Sequence, residues 1–287
     1  MPPSDSTLAA LAPRLRCPNC GAPIAYVDRT LVCDRGHSFD VARQGHVALL
    51  PPGRRIARGD SSEMVAARET FLGAGHYSPL AAAIAAAAHQ VSATDRVPVL
   101  VDLGAGTGYF LAALLDTLPD SFGLALDSSR PALHRALRAH RRTAAIYCDV
   151  WQGLPLQDET ADLAVNVFAP RNGPEIARVL TPGGALIVAT PAPEHLHQLV
   201  SAVGLLGIDA DKQARLRAGL PASLASVSAR RVEFDMTLGP SDIRALVAMG
   251  PSAHHLSAEE VRRRVAHNFG EDTCVTASVM VETFRRL

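Results

Sequence analysis

The chain has 287 residues, 48% of them hydrophobic, and its 28 basic and 28 acidic side chains balance to zero formal charge. That length fits one or two domains with ample core material, and neutrality removes any global electrostatic pull toward nucleic acid. No apolar run approaches the roughly 18 residues of a membrane helix, and no basic segment followed by an apolar core opens the chain, so neither a membrane span nor a secretory signal is expected.

Three of the five cysteines fall between positions 17 and 33, while Cys148 and Cys274 stand alone. This is the usage of a reducing, cytoplasmic compartment with one metal site, not of a disulfide framework. Residues 1 to about 15 read as a frayed leader. Residues 16–50 are short and rich in Cys, Gly and turn residues, too little to bury a core without help. Within them Cys17-Pro-Asn-Cys20, Cys33 and His37 give C-x2-C-x12-C-x3-H. Thiolates and a neutral imidazole at this spacing suit a closed tetrahedral zinc site. The module is therefore expected to depend on Zn2+ for its folding. The alternative is a coincidence of four residues in a cytosolic chain. His46 lies nearby, but a fifth ligand is not required.

Pro51, Pro52 and Gly53 begin a polar linker that ends near Ser62, where a helix capped by Asp60 or Ser61 starts. Gly73 and Gly75 end it, and Ser78-Pro79 opens another through about Gln90. Strands then alternate with helices: strands at 97–103, 122–126, 144–148, 163–168 and 185–189, helices at 108–118, 131–140, 174–180 and 194–206. Apolar strands alternating with helices predict a parallel sheet covered on both faces, an α/β Rossmann-like fold. Further strands at 227–238 and 274–284, with helices at 241–249 and 257–267 between them, predict a C-terminal antiparallel pair. The expected organisation is 1–50 as a zinc-binding module, 51–95 as linker and helices, and 96–287 as the catalytic domain.

The stretch Val99-Leu-Val-Asp-Leu-Gly-Ala-Gly-Thr-Gly-Tyr-Phe110 is a buried strand, then Asp102, then Gly104, Gly106, Thr107 and Gly108, then a helix. Glycines there let the backbone approach a ligand and turn helix N–H groups toward it. The spacing G-x-G-x-G, with Tyr at 109, favours S-adenosylmethionine over a dinucleotide, whose fingerprint is G-x-G-x-x-G. Asp127 ends the second strand, where it can accept from both ribose hydroxyls or cap the next helix. Asp149 ends the third, where it borders the adenine or serves as a turn residue. Ligands of open α/β sheets bind at the carboxyl ends of the strands, so Asn166, Phe168 and Pro170 are candidates for holding a methyl acceptor. Tyr77 and His195 are candidates for closing over the cofactor, each with an ordinary packing role as the alternative. Arginine clusters at 54–58, 130–142 and 262–264 are either solvated faces or local phosphate sites.

Taken together, these residues resemble the 23S ribosomal RNA guanine-N1 methyltransferases. The resemblance runs through nearly the whole chain. It rests on Cys17-Pro-x-Cys20 with Cys33 and Gly36-His37-x-Phe39-Asp40, on Ala42-Arg-Gln-Gly-His-Val-Ala-Leu-Leu50, on Glu63-Met64-x-Ala66-Ala67-Arg68, and on Gly75-His-Tyr77. Asp102-Leu-Gly-x-Gly-Thr-Gly108, Asn166-Val-Phe-Ala-Pro-Arg171 and Ala189-Thr-Pro191 complete it. Asp149-Val-Trp151, residues 166–172 and Val247-Ala-Met-Gly-Pro-Ser252 look closer to the tylosin- and mycinamicin-resistance branch. His46 departs from the Tyr of the family's pattern. The resemblance implies a class I S-adenosylmethionine-dependent fold and a guanine acceptor in the hairpin 35 loop of domain II of 23S RNA. It also implies a homodimer and cofactor contacts from Tyr77, the 104–108 loop and His195. Two other readings of the same residues are a small-molecule methyltransferase and a non-catalytic zinc-ribbon RNA-binding protein.

Overall fold

The structure, a computed structural model, describes residues 3–54, 56, 59–91, 97–205, 217 and 219–287. Arg55 and Arg58 of the first arginine cluster, and Leu206 at the end of one predicted helix, lie outside the described residues.

Three short strands, β1 (Ile24–Val27), β2 (Thr30–Cys33) and β3 (Ser38–Asp40), form a small antiparallel sheet. Asp28 and Arg29 make the β1–β2 turn with φ of 44° and 62°, the pair of positive angles that matches strand twist in a two-residue hairpin. The chain then leaves this sheet. β4 (Val47–Ala48) adds in parallel to β7 (Thr143–Tyr147) at the edge of the main sheet, with Val47 opposite Ile146.

The other strands of that sheet are β5 (Val99–Leu103), β6 (Phe122–Asp127), β8 (Ala161–Val167), β9 (Leu180–Pro191), β10 (Leu224–Leu238) and β11 (Thr273–Arg286). Their order is β10-β11-β9-β8-β5-β6-β7-β4 among the described residues. Pairing is parallel from β4 through β9, and the β10–β11 ribbon is antiparallel, as its alternating pattern predicts. Strand order reverses between β5 and β8, so the crevice that receives a ligand opens above their carboxyl ends. Every residue of β5 and β8 is buried, which explains why neither strand shows the apolar–polar alternation of a half-exposed one.

Helices α2 (Ser62–Gly73), α3 (Ser78–Val91), α4 (Tyr109–Thr117) and α5 (Arg130–Ala139) share one core with α8 (Pro240–Ala248) and α9 (Ala258–Asn268). Ser61 caps α2 and Ser129 caps α5, each accepting a backbone N–H. The other face is covered by α6 (Gly173–Val179) and by the N-terminal segment, with Leu8, Leu11, Ile24 and Leu31 packed alongside Leu124, Leu126, Ile146 and Ile176. No single helix among the described residues is long and apolar enough to cross a membrane.

Two local expectations are corrected. Residues 3–15 are not a frayed leader: α1 (Pro3–Leu11) and a 3-10 turn (Ala12–Arg14) bury Leu8, Leu11 and Leu15. Their three- and four-residue spacing is a helical stripe, and buried Asp5 pairs with Arg29. The helix expected over 194–206 is also shorter. Residues 193–196 turn, with the His195 N–H donating to Ala192 O and Leu196 at φ 58°. Among the described residues, only α7 (His197–Leu199) and a π turn (Val200–Gly204) follow before 205. The left-handed backbone at Leu196 breaks the helical path, so the helix cannot run through from 194.

Candidate methyl-transfer site and metal centre

Hairpin β1–β2 carries Cys33 back beside the knuckle that holds Cys17 and Cys20, and His37 follows on the turn into β3. Cys17 Sγ and Cys33 Sγ lie 3.6 and 3.4 Å from His37 Nδ1, and Cys20 Sγ lies 3.7 Å from Cys33 Sγ. All four ligand atoms fall within 4.8 Å of one another. Zn–S bonds of about 2.3 Å and Zn–N bonds of about 2.0 Å in a tetrahedron put sulfurs roughly 3.8 Å apart and S to N roughly 3.5 Å apart, so the residues fit zinc. Burial opposes ionisation of Cys33, but the Arg35 and His37 N–H groups and the His37 ring outweigh it and pull the thiol down to about 6. A thiolate is the form that binds metal.

The cofactor loop leaves β5 at Asp102 and enters α4 at Tyr109. Gly104, Gly106 and Gly108 hold φ of 76°, 54° and 77°, a region closed to most side chains. A Cβ on Gly104 would lie 2.5 Å from Ala169 Cβ, so the glycine loop and the loop after β8 are in direct contact. Asp127 Oδ2 accepts from the Gly106 N–H at 2.8 Å, and Oδ1 accepts from the Ser129 N–H at 2.7 Å. Each oxygen keeps a lone pair for a further donor. Asp102 is buried at the end of β5; desolvation, then the charge of Asp127, raise it to about 8. Thr107 is buried within the same loop.

Tyr77 and His195, 118 positions apart, meet beside the Phe168 ring. Tyr77 Oη lies 3.3 Å from His195 Nε2, and Ser278 N–H donates to His195 Nδ1 at 3.2 Å. A ring nitrogen that accepts carries no proton, so neutral His195 holds its hydrogen on Nε2 and donates it to Tyr77. Burial lowers His195 to about 4 and raises the Tyr77 phenol; both are neutral at pH 7. The Phe168 ring packs 6.1 Å from Tyr77 and 5.7 Å from His195, centre to centre, yet is 41% exposed. Its φ of 53° turns the chain sharply after β8.

Asn166 is fully buried beneath this turn. Its Nδ2 donates to Leu103 O at 3.1 Å and to Pro170 O at 2.9 Å, tying β5 to the loop that carries Phe168. Both partners are carbonyls, which fixes the amide's orientation. Oδ1 is buried and without a partner. Asp149 behaves differently: Oδ1 accepts from Trp151 N–H and Oδ2 from Gln152 Nε2, so its carboxylate closes its own loop.

Arg68 carried no assigned role in the sequence, yet it reaches the centre of the site. Its Nη1 sits 2.5 Å from Asp60 Oδ2, its Nη2 donates to Met249 O at 2.7 Å, and a Cβ on Gly106 would lie 3.1 Å from Nη1. Ser129 Oγ donates to Asp60 O at 2.7 Å, clamping the start of α2 over the cofactor loop. The arginine cluster at 130–142 divides. Arg142 donates to Leu118 O and Ser121 O at 2.9 and 2.6 Å, Arg135 pairs with Glu69, and Arg130 covers the Tyr147 ring.

A family profile described as "RlmA, N-terminal", a zinc ribbon, matches residues 15–55, and one described as "Methyltransferase domain" matches residues 100–184. The chain is 48% identical over 291 aligned residues to a Micromonospora griseorubida protein provisionally named a 23S rRNA (guanine-N1)-methyltransferase, covering 96% of this chain and 98% of that one. It is 46% identical to the Streptomyces fradiae 23S rRNA (guanine(748)-N(1))-methyltransferase, covering 88% and 90%. A Bacillus subtilis protein provisionally given the same guanine-N1 activity is 30% identical, covering 64% and 66%. The protein is an enzyme with S-adenosylmethionine as its cofactor and zinc in its N-terminal ribbon. With likeness this high from end to end, the chain belongs to the 23S rRNA (guanine-N1)-methyltransferase family.

Proposed function

We propose that this enzyme methylates N1 of a guanine in the hairpin 35 loop of domain II of 23S ribosomal RNA, and that it thereby confers macrolide resistance of the tylosin and mycinamicin type. The observation that carries the reading is the end-to-end likeness to a guanine-N1 methyltransferase of 23S rRNA, zinc ribbon included. A ribosomal acceptor assigns the enzyme to the cytoplasm. Residues 1–50 serve as the RNA-recognition module, 51–95 as the connecting linker and helices, and 96–287 as the catalytic domain, in a homodimer.

S-adenosylmethionine supplies an electrophilic methyl group on its sulfonium. The backbone of 104–108 receives the cofactor's amino-acid end, and Asp127 accepts from the ribose hydroxyls. Arg68 is the cation placed to meet the methionine carboxylate, and the neutral Tyr77–His195 pair closes the pocket without adding charge. Asp149 shapes the adenine edge through its loop. Specific RNA recognition works on unstacked bases, and the half-exposed Phe168 ring offers the target guanine a face. Asn166 fixes the turn that holds Phe168 and Pro170 by donating to Leu103 O and Pro170 O, and so positions the acceptor site from beneath. Methyl transfer would break the sulfonium S–C bond as the N1–C bond forms, leaving S-adenosylhomocysteine and passing the guanine N1 proton to solvent; the chain's contribution is to hold acceptor and donor in line.

The test is methyl transfer from labelled cofactor to unmodified 23S RNA and to the isolated domain II hairpin, mapped by reverse-transcription stop. A stop at one hairpin guanine is expected; cofactor binding with no label in RNA refutes the substrate.

A further inference from the structure

The loop from β7 to β8 crosses the carboxyl end of the sheet and holds the protein's one tryptophan, Trp151. It is 61% exposed, although its backbone is fixed on both sides. Trp151 N–H donates to Asp149 Oδ1 at 3.0 Å, and Asn172 Nδ2 donates to Trp151 O at 3.1 Å. Asn172 also caps α6, and Leu154 N–H donates to Glu175 Oε2 at 2.8 Å. The backbone of Trp151 is thus fixed while its indole stands largely in solvent.

The neighbours of Trp151 indicate what meets it. On one side, Asn172 ties it to the loop that carries Phe168, the other exposed large aromatic among the described residues. On the other, Gln152, Gly153, Leu154 and Pro155 line a cleft of about 150 Å³ together with Arg16 and the Cys17–Cys20 knuckle. Arg16 N–H donates to Pro155 O at 3.1 Å across it. Trp151 thus stands between the zinc ribbon and the acceptor turn, on the path of an RNA strand that touches both. A flat apolar ring on such a path is a stacking platform for a nucleobase.

We infer that Trp151 stacks a base of the RNA next to the methylated guanine, a second aromatic grip beside Phe168. This rests on the RNA reading above. The local alternative is the adenine of the cofactor, since Asp149 precedes the loop. Because no other tryptophan is present, intrinsic fluorescence of the zinc-loaded full-length protein reports this one ring. Titration with the domain II hairpin should quench its emission, while S-adenosylhomocysteine alone should leave it unchanged. Trp151→Ala should raise KM for the hairpin about 5- to 150-fold without changing affinity for S-adenosylhomocysteine, and Trp151→Phe should recover most of that loss. Quenching by S-adenosylhomocysteine alone assigns the ring to the cofactor and overturns the inference. So does an unchanged hairpin KM in Trp151→Ala, with wild type still methylating the RNA. A wild-type protein that binds S-adenosylhomocysteine but labels no RNA overturns the RNA reading, and this inference with it.

Discussion

Alanine at three glycines separates the cost of backbone conformation, the cost of contact and the effect on the cofactor. Gly183, Gly106 and Gly108 hold φ of 75°, 54° and 77°, so each Gly→Ala change carries about 1–2 kcal/mol of left-handed backbone strain. At Gly183 no atom lies within 4 Å of the new Cβ, and that strain is the whole effect. At Gly108 the Cβ would sit 2.8 Å from Ala136 Cα, a backbone atom of α5 that cannot swing aside. Overpacking of this kind adds about 1–3 kcal/mol. At about 2 °C per kcal/mol for a chain of this size, Gly183→Ala should melt about 2–4 °C low and Gly108→Ala about 4–10 °C low. Gly106→Ala meets only the movable end of Arg68, so it should melt with Gly183→Ala. It pushes that guanidinium off the loop, however, and should weaken S-adenosylhomocysteine binding about tenfold or more, the loss expected for one charge-assisted hydrogen bond. Thermal unfolding and calorimetric titration read the two effects separately. Gly108→Ala melting with Gly183→Ala would refute the packing argument, and unchanged affinity in Gly106→Ala would refute the place given to Arg68.

Removing zinc, by chelation or through Cys33→Ser, should lower the melting temperature of the whole chain in one transition, because Leu8, Leu11, Ile24 and Leu31 share a core with β6, β7 and α6; a separate early transition with the main one unmoved would contradict that shared core. His195 is lowered from 6.5 to about 4 by burial, so its contribution to stability is present above pH 6.5 and lost as pH falls toward 4. His195→Gln should flatten that part of the melting profile, and wild-type cofactor affinity should show no titration near pH 6.5. Asp102 is raised from 3.8 to about 8, so the folded state favours its protonated form and stability falls as pH rises from about 4 to 8. Asp102→Asn should therefore melt higher than wild type at pH 8 and show a smaller gain at pH 5; a gain independent of pH would rule out this titration.

What could be read in the sequence divides by whether the signal is local. The glycine loop, the zinc ligands and the run of parallel strands announce themselves within a dozen residues, because turn geometry, ligand spacing and buried strands leave short-range patterns. The pairing of Tyr77 with His195 does not: each is a candidate on its own, but the one hydrogen bond that joins them spans 118 positions and leaves no local pattern. Arg68 was hidden for the same reason, since nothing along α2 shows that its guanidinium lies against Gly106 and Met249. β4 is two residues long, too short for any period, and exists only because β7 offers an open edge. The N-terminal helix was legible, in the spacing of Leu8, Leu11 and Leu15, but its apolar stripe has no meaning until the sheet supplies a face to cover. That dependence runs both ways. The zinc ribbon is too small to hold a core of its own, and without it the α6 face of β6 and β7 would stand open to water. Metal binding, the ribbon fold and the sheet's second face are therefore coupled through shared packing, and that packing sets the Cys17–Cys20 knuckle beside the β7–β8 loop.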